Sequence, residues 1–356
     1  MRYVYFVVPD LGYAGHARQV SLLAPGLSRA EWAVGVYSLG GDGPFAPSIR
    51  DASVPVERQM GAAARDHRSR FVLRWIIPCP DRGVVHAFGL RVLRRLVFAT
   101  LGTKRPRIYL SLTGREPLAW LDRRCLRIVS RIIVPHGAAA DALIRQGVPS
   151  RLVTVVPPSV GPAPPAADRA ELCRTLRLPS AAKMIVTSGR MDARGYLFDA
   201  VWAFEFLRYV EEDVHLLVIG DGPDRDRLER NTRALAPEGS RVHFLGPRLD
   251  VPALLGLADL VVVPHWTGGT NLALEALSSG RAVVAANTPD LSALIQDGET
   301  ALLAPVRKPP EMARAMRRVL LDADLRTRLG NAARQYVLDR HSVNRVVPAL
   351  EALYNP

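Results

Sequence analysis

At 356 residues the chain is too long for one ordinary core and suits two domains of roughly 150 to 200 residues each. With 48% hydrophobic and 23% charged residues it is neither disordered nor fibrous, and no run approaches the ~18 apolar residues of a membrane span. The net charge of +13 lies wholly in the first half, because residues 1–165 hold 23 Lys or Arg against 10 Asp or Glu while residues 166–356 hold 24 of each.

The first apolar run, residues 4–8, stops at Pro9-Asp10. It is too short for the core of a secretory signal and reads as a strand. Cys79, Cys125 and Cys173 form neither a metal nor a redox spacing, so a reducing cytoplasm is the expected compartment. The turn Pro9-Asp10-Leu11-Gly12-Tyr13-Ala14-Gly15-His16 lacks the third glycine of a dinucleotide fingerprint. Gly12 and Gly15 can open a helix toward a phosphate or form a turn chosen for packing; His16 is a ligand contact or a surface residue at a helix start.

Further along, 33–37, 84–85, 108–112, 132–134 and 152–156 read as strands, and 14–28, 90–101 and 138–145 have helical spacing. His86 ends one strand, where it either faces a cleft as a catalyst or serves as a satisfied structural residue. Arginines gather in residues 65–74, 91–107 and 115–131. Such helices can touch an anionic membrane surface or an acidic acceptor. Only 3 of the 47 basic residues are lysine, which fits a plain arginine preference and a solvated face equally well. Nucleic-acid binding is not expected, since no basic run is interleaved with exposed aromatics and no recognition motif is present.

Five prolines in residues 157–165 interrupt both helix and ladder. The expected boundaries are a basic first domain over 1–160, a linker over 161–167, a second domain over 168–338, and a last helix over 339–356 returning to the first domain. In the second domain 184–187, 215–219, 242–245, 260–263 and 282–285 read as strands, with helices at 196–209, 224–235, 251–257 and 270–279 and a helical tail over 310–321, 325–338 and 343–354. Strand and helix alternate throughout, so the fold class is α/β with two doubly wound, Rossmann-like parallel sheets in tandem.

Three turns of the second domain point to an anionic ligand. Gly189-Arg190-Met191-Asp192-Ala193-Arg194 sets two guanidiniums past a strand end, where ligands of open α/β sheets bind and where arginine forks match phosphate oxygens. Thr267-Gly268-Gly269-Thr270-Asn271-Leu272 opens a helix whose first amides and dipole favour a phosphate. Glu275, the only acid between Asp259 and Asp290, either bonds ligand hydroxyls such as a ribose diol or is a solvated helix residue. Gly220-Asp221-Gly222-Pro223 reads as a turn, and Asp224-Arg225-Asp226 as a helix start and not a metal site. No hydrolase triad is visible.

Together these pieces resemble the family 4 glycosyltransferases over nearly the whole chain. The resemblance rests on Gly189-Arg190, Gly220-Asp221-Gly222-Pro223, Phe244-Leu245-Gly246, Ala258-Asp259-Leu260, Gly268-Gly269-Thr270-Asn271, Leu274-Glu275-Ala276-Leu277 and Asp297-Gly298-Glu299, with Gly12 to Gly15 and Val84-Val85-His86 in the first half. It implies the GT-B fold, with the two domains facing each other across a cleft, and retaining transfer of a sugar from a nucleotide-diphosphate sugar without a metal or other cofactor. UDP-sugars are favoured and GDP-sugars possible; the acceptor is an unidentified glycan, lipid-linked or small molecule. Arg190 and Arg194 would neutralise the diphosphate, amides near Asn271 and Leu272 would cap it, Glu275 would hold the ribose, backbone from Gly246 to Arg248 would meet the base, and Gly12 and Gly15 would close on the phosphates. Three positions depart from the family: Thr267 stands where a glutamate is usual, Arg194 replaces a lysine, and Thr113 takes the place of a histidine. The resemblance therefore leaves two outcomes, an enzyme for an unusual sugar or acceptor, and a degenerate nucleotide-sugar binder or partner subunit.

Overall fold

The computed structural model describes residues 2–28, 32–58, 83–100, 106–165, 167–192, 196–211, 213–236 and 240–355. Arg194, Cys79, Lys104 and the arginine segment 65–74 lie outside the described residues.

The chain divides into two compact units, Met1–Ser159 with His341–Pro356, and Val160–Arg340. The first holds β1 (Arg2–Val8), β2 (Trp32–Ser38), β3 (Val56–Arg58), β4 (Gly83–Phe88), β5 (Arg107–Ser111), β6 (Val129–Val134) and β7 (Val153–Val155). Their order is β3-β2-β1-β4-β5-β6-β7, and every pairing is parallel. The second holds β8 (Lys183–Ser188), β9 (Val214–Ile219), β10 (Val242–Gly246), β11 (Leu260–Val263), β12 (Val283–Ala286) and β13 (Leu302–Ala304), ordered β10-β9-β8-β11-β12-β13 and again parallel. This is the GT-B pair of Rossmann-like units. In each sheet the strand order reverses once, between β1 and β4 and between β8 and β11, and such switch points leave a crevice at the carboxyl ends of the strands.

The central strands are apolar on both faces because helices cover both. All four residues of β11 and of β12 are buried. In the first unit Val4, Phe6 and Val8 pack with Val20 and Leu27 of the helix Gly15–Ser28 and with Val346, Leu350 and Tyr354 of the helix Val343–Tyr354. Val7, Val85 and Ala87 pack on the opposite face, with Leu93 and Leu96 of the helix Leu90–Ala99 and Cys125 and Leu126 of the helix Trp120–Leu126. Of the three edge strands of three residues, β7 lies within the expected strand 152–156, whereas β3 and β13 match no expected strand. Leu152, read as the first residue of a strand, instead ends a 3-10 turn, Ser150–Leu152, before β7.

Candidate functional site

The loops beyond β8, β9 and β10 are fastened to one another through their backbones. The Gly189 amide donates to the Ile219 carbonyl at 3.0 Å, Met191 to Asp221 at 2.9 Å, Asp224 to Met191 at 3.0 Å, and Gly220 to Gly246 at 2.8 Å. A Cβ on Gly220 would stand 2.0 Å from the Gly189 carbonyl oxygen, so this approach requires glycine. The lattice of amides holds Arg190 at the rim of the switch point, its side chain 66% exposed and its Nε 3.7 Å from Asp192 Oδ2.

On the other side of the crevice, β11 runs into Pro264 and His265. The buried His265 ring stacks on Tyr196 with centroids 4.2 Å apart, and its Nε2 lies 2.8 Å from where a Cβ on Gly189 would be. The two loops bounding the switch point therefore touch at Gly189 and His265. Trp266 donates from Nε1 to Asp199 Oδ2 at 2.8 Å, and the Arg307 guanidinium lies 3.9 Å from its ring centroid. Burial raises the Asp199 carboxyl, partly offset by the Trp266 hydrogen bond and the Arg307 charge.

Beyond half-buried Thr267, Gly268 (φ 72°) and Gly269 (φ 79°) are both left-handed, and Gly269 is the N-cap of the helix Thr270–Ser278. No side chain caps that helix, whose first backbone acceptor is the Gly269 carbonyl, bonded by Ala273 at 2.9 Å. The opening turn, Thr270-Asn271-Leu272, thus presents amides and the positive dipole end at the switch point. Asn271, Glu275 and Ser279, four residues apart, are half-buried, whereas 272–274 and 276–278 are buried. Glu275 therefore stands on the one partly open line of the helix, above the amides. Asp290 of the short helix Pro289–Ser292 reaches back from the end of β12, its Oδ2 3.1 Å from the Gly268 amide nitrogen.

Gly246 (φ 70°) ends β10, two strands from the switch point. Arg248 is locked in a bidentate pair with Asp250 at 2.7 Å for both contacts, and the guanidinium holds the Asp250 carboxyl below its ordinary range. Backbone, not this guanidinium, is what the segment offers a ligand. Asp226 lies in the first turn of the helix Arg225–Leu235. Among the described residues no group of three or more His, Cys, Asp and Glu could hold a metal ion.

In the first unit the Asp10 carboxylate accepts the Gly12 amide at 2.8 Å, and His16 Nε2 donates to the Asp10 carbonyl at 3.0 Å. Burial lowers the His16 pKa, and Asp10 partly restores it. Gly12, Gly15 and His16 thus form the turn from β1 into the helix Gly15–Ser28, beside that unit's own switch point.

His86 does not match the reading of a strand-end catalyst. It is 1% exposed, with Nδ1 2.5 Å from the Tyr354 hydroxyl and Nε2 2.7 Å from Ser111 Oγ, and it stacks on Phe88 with centroids 4.7 Å apart. Burial pushes its pKa down to about 3. It is a neutral core residue that fastens the last helix to the sheet. Thr113 is exposed, its amide donating to Glu116 Oε1 at 3.0 Å.

The structure thus brings Gly189, Arg190, Thr267, Gly268, Gly269, Thr270, Asn271, Leu272 and Glu275 together around one switch point. It adds Asp290, Tyr196, His265 and Trp266, which sequence reasoning did not find. For Asp290 a signal existed: Thr288-Pro289-Asp290 follows a buried strand and forms a capped turn, with Thr288 Oγ1 accepting the Leu291 amide at 3.3 Å.

Residues 182–322 match the family model described as Glycosyl transferases group 1. Among curated proteins, the alpha-D-kanosaminyltransferase of Streptomyces kanamyceticus is 27% identical over 248 residues, covering 67% of this chain and 64% of that one. The D-inositol 3-phosphate glycosyltransferase of Salinispora tropica is 32% identical over 234 residues, covering 61% of this chain and 48% of the relative. The chain therefore spans between about half and two thirds of the length of these relatives. Among solved structures, Anabaena Alr3699/HepE in complex with UDP-glucose superposes with a TM-score of 0.86 at 18% identity over 100% of both chains. Sucrose-phosphate synthase from Thermosynechococcus elongatus gives a TM-score of 0.79 at 18% identity, over 99% of this chain and 98% of that one. At such identities the likeness is one of fold.

Proposed function

The chain carries a group 1 glycosyl transferase domain within a GT-B fold, and we propose that it transfers a sugar from a nucleotide-diphosphate sugar to a hydroxyl-bearing acceptor. The observation that carries this reading is the meeting, at the β8/β11 switch point, of exposed Arg190 with the left-handed Gly268–Gly269 cap and the half-buried Glu275 one turn above it.

The chemistry follows from where charge develops. As the bond between the anomeric carbon and the diphosphate breaks, its electron pair moves to the phosphate oxygen, while the acceptor hydroxyl oxygen bonds to that carbon and its proton passes to the departing diphosphate. Arg190, with Arg194 beside it in sequence, and the amides of Thr270, Asn271 and Leu272 neutralise the leaving diphosphate, so they act chiefly in the transition state. These groups supply the positive charge a metal would bring, and we assign the reaction as metal-independent and without cofactor. Glu275 accepts from the ribose hydroxyls, and backbone from Gly246 to Arg248 meets the base. Gly189 lets the loops after β8 and β11 close on each other at His265, which holds Arg190 beside the helix start. His86, enclosed in the core, takes no part.

UDP is the favoured nucleotide, supported by the UDP-glucose named with the Anabaena structure, with GDP as the second choice and a hexose as the sugar. Retention at the anomeric carbon is carried over from the family resemblance. The acceptor belongs to the glycans, lipid-linked glycans or small polyols, and we place the protein in the cytoplasm. Calorimetric titration with UDP, GDP and ADP tests the site: one should bind saturably, and Arg190→Ala should weaken it. Binding by none would overturn the reading.

A second reading, a nucleotide-sugar binder that no longer transfers, is favoured by Thr267 and Thr113. Turnover that appears only after Thr267→Glu supports it, and turnover by the natural chain excludes it.

A further inference from the structure

The helix Tyr196–Arg208, which follows β8 in the second unit, is enclosed on every side but one. Among its residues only Trp202 and Phe206 are exposed, at 44% and 48%, and the next two residues, Tyr209 and Val210, are 74% and 59% exposed. The Val210 and Glu211 amides both donate to the Leu207 carbonyl at 3.0 Å, so the winding of the helix carries on through them. At i, i+4, i+7 and i+8 the four side chains share one line, and half-buried Phe198 extends it back by a turn, with the Arg227 guanidinium 4.9 Å from its ring centroid. Every exposed position from Tyr196 to Val210 is therefore apolar.

The helix packed beside it shows what a solvated face looks like in the same unit. In the helix Pro309–Leu321, Met312, Met316 and Val319 are buried while Glu311, Arg314, Arg317 and Arg318 are exposed. Arg317 Nε lies 2.9 Å from Glu211 Oε1 at the end of the aromatic line, and Arg314 pairs with Glu311. Charge thus borders the stripe and does not enter it, which is the anatomy of an interface core with its polar rim.

We propose that the line of Trp202, Phe206, Tyr209 and Val210 is the core of a symmetric homodimer interface, its occupant a second copy of this chain. Two observations favour that occupant. Arg314 and Arg317 are committed to acids of their own copy, and residues 166–356 carry 24 acids and 24 bases, so two such surfaces meet without net repulsion. Aromatic side chains of about 150–250 Å² each, exposed to these fractions, leave with Val210 roughly 400 Å² of apolar surface per copy, so a shared stripe covers about half of a standard interface of about 1,600 Å². The bordering helix supplies the remainder. Crossing antiparallel about a two-fold axis, Trp202 of one protomer meets the partner's Phe206, and the same contact recurs on the other side of the axis. The proposal does not rest on the donor site.

Sedimentation velocity of the full chain, over about a hundredfold range of concentration, tests it. The natural chain should pass from monomer to dimer within that range. Trp202→Ser with Phe206→Ser, and separately Tyr209→Ser with Val210→Ser, should each raise the dimer dissociation constant by about 100-fold or more, with far-UV circular dichroism unchanged. Using both pairs separates the surface from a folding defect at one turn of the helix. Leu338→Ser, at an exposed apolar position on the helix Ala323–His341, should leave the constant where it is. A natural chain that stays monomeric at every concentration, or a dimer that both pairs leave intact, would overturn the proposal, whatever UDP titration shows.

Discussion

Asp290 Oδ2 accepts the Gly268 amide at 3.1 Å from a carboxyl that is 6% exposed, so a buried acid stands directly behind the helix start proposed to bind phosphate. A negative charge there would oppose a phosphate, while the hydrogen bond fixes the loop proposed to bind one. These two effects separate by substitution. Asp290→Ala removes the acceptor and should raise the UDP dissociation constant about tenfold, roughly 1.4 kcal/mol. Asp290→Asn keeps an acceptor and removes the charge, so its affinity should equal or exceed that of the natural chain. Calorimetry on the three proteins reads both.

The two glycines should respond unequally to alanine. Both are left-handed, which costs a residue with a side chain about 1 to 2 kcal/mol. At Gly268 nothing lies within 4 Å of the new Cβ, whereas at Gly269 it would meet His265 Cβ and Cγ at 2.8 Å. Gly269→Ala should therefore lower the melting temperature and UDP affinity clearly more than Gly268→Ala, as thermal scans and titration will report.

Arg190 is exposed, and its ion-pair distance to Asp192 is 3.7 Å. Arg190→Ala should leave stability within about 0.5 kcal/mol while weakening UDP by about 1.5 to 3 kcal/mol. Uridine, which lacks phosphate, should bind both proteins alike.

Acid should loosen the first unit through His86. Its folded pKa, pushed down by burial to about 3, lies below the ordinary 6.5 of an unfolded chain. The stability it contributes is complete above pH 6.5 and drains away as pH falls toward 3, by up to about 1.4 kcal/mol per pH unit. Urea midpoints between pH 7 and pH 5 should drop in the natural chain, and His86→Gln should flatten that slope.

Much of this site is written locally. The β11 strand, the Gly268–Gly269 break and Glu275 follow one another within sixteen residues, so periodicity and glycine placement locate them together. The partners of those residues are not local. Gly268 meets Asp290 across 22 residues and Trp266 meets Asp199 across 67, while His86 meets Tyr354 across 268. Each contact exists only because the sheet order brings distant strand ends together. For the same reason His86 reads in sequence as a strand-end residue open to a ligand, and only the return of the last helix reveals it as core. Arg94 reads as part of a basic run, yet it is committed to Asp122 on another helix. β3, Val56-Glu57-Arg58, has one apolar residue in three and offers no strand pattern, whereas β7, equally short, sits in the apolar run of residues 152–156 and is legible.

The most direct test of the account is turnover. The natural chain and Arg190→Ala would be incubated with a panel of UDP- and GDP-sugars, with and without an extract of candidate acceptors, and free nucleotide diphosphate measured. The account predicts release from one donor, stimulated by acceptor and reduced at least tenfold in the Arg190 variant. Release from no donor, or release unaffected by Arg190→Ala, would contradict it.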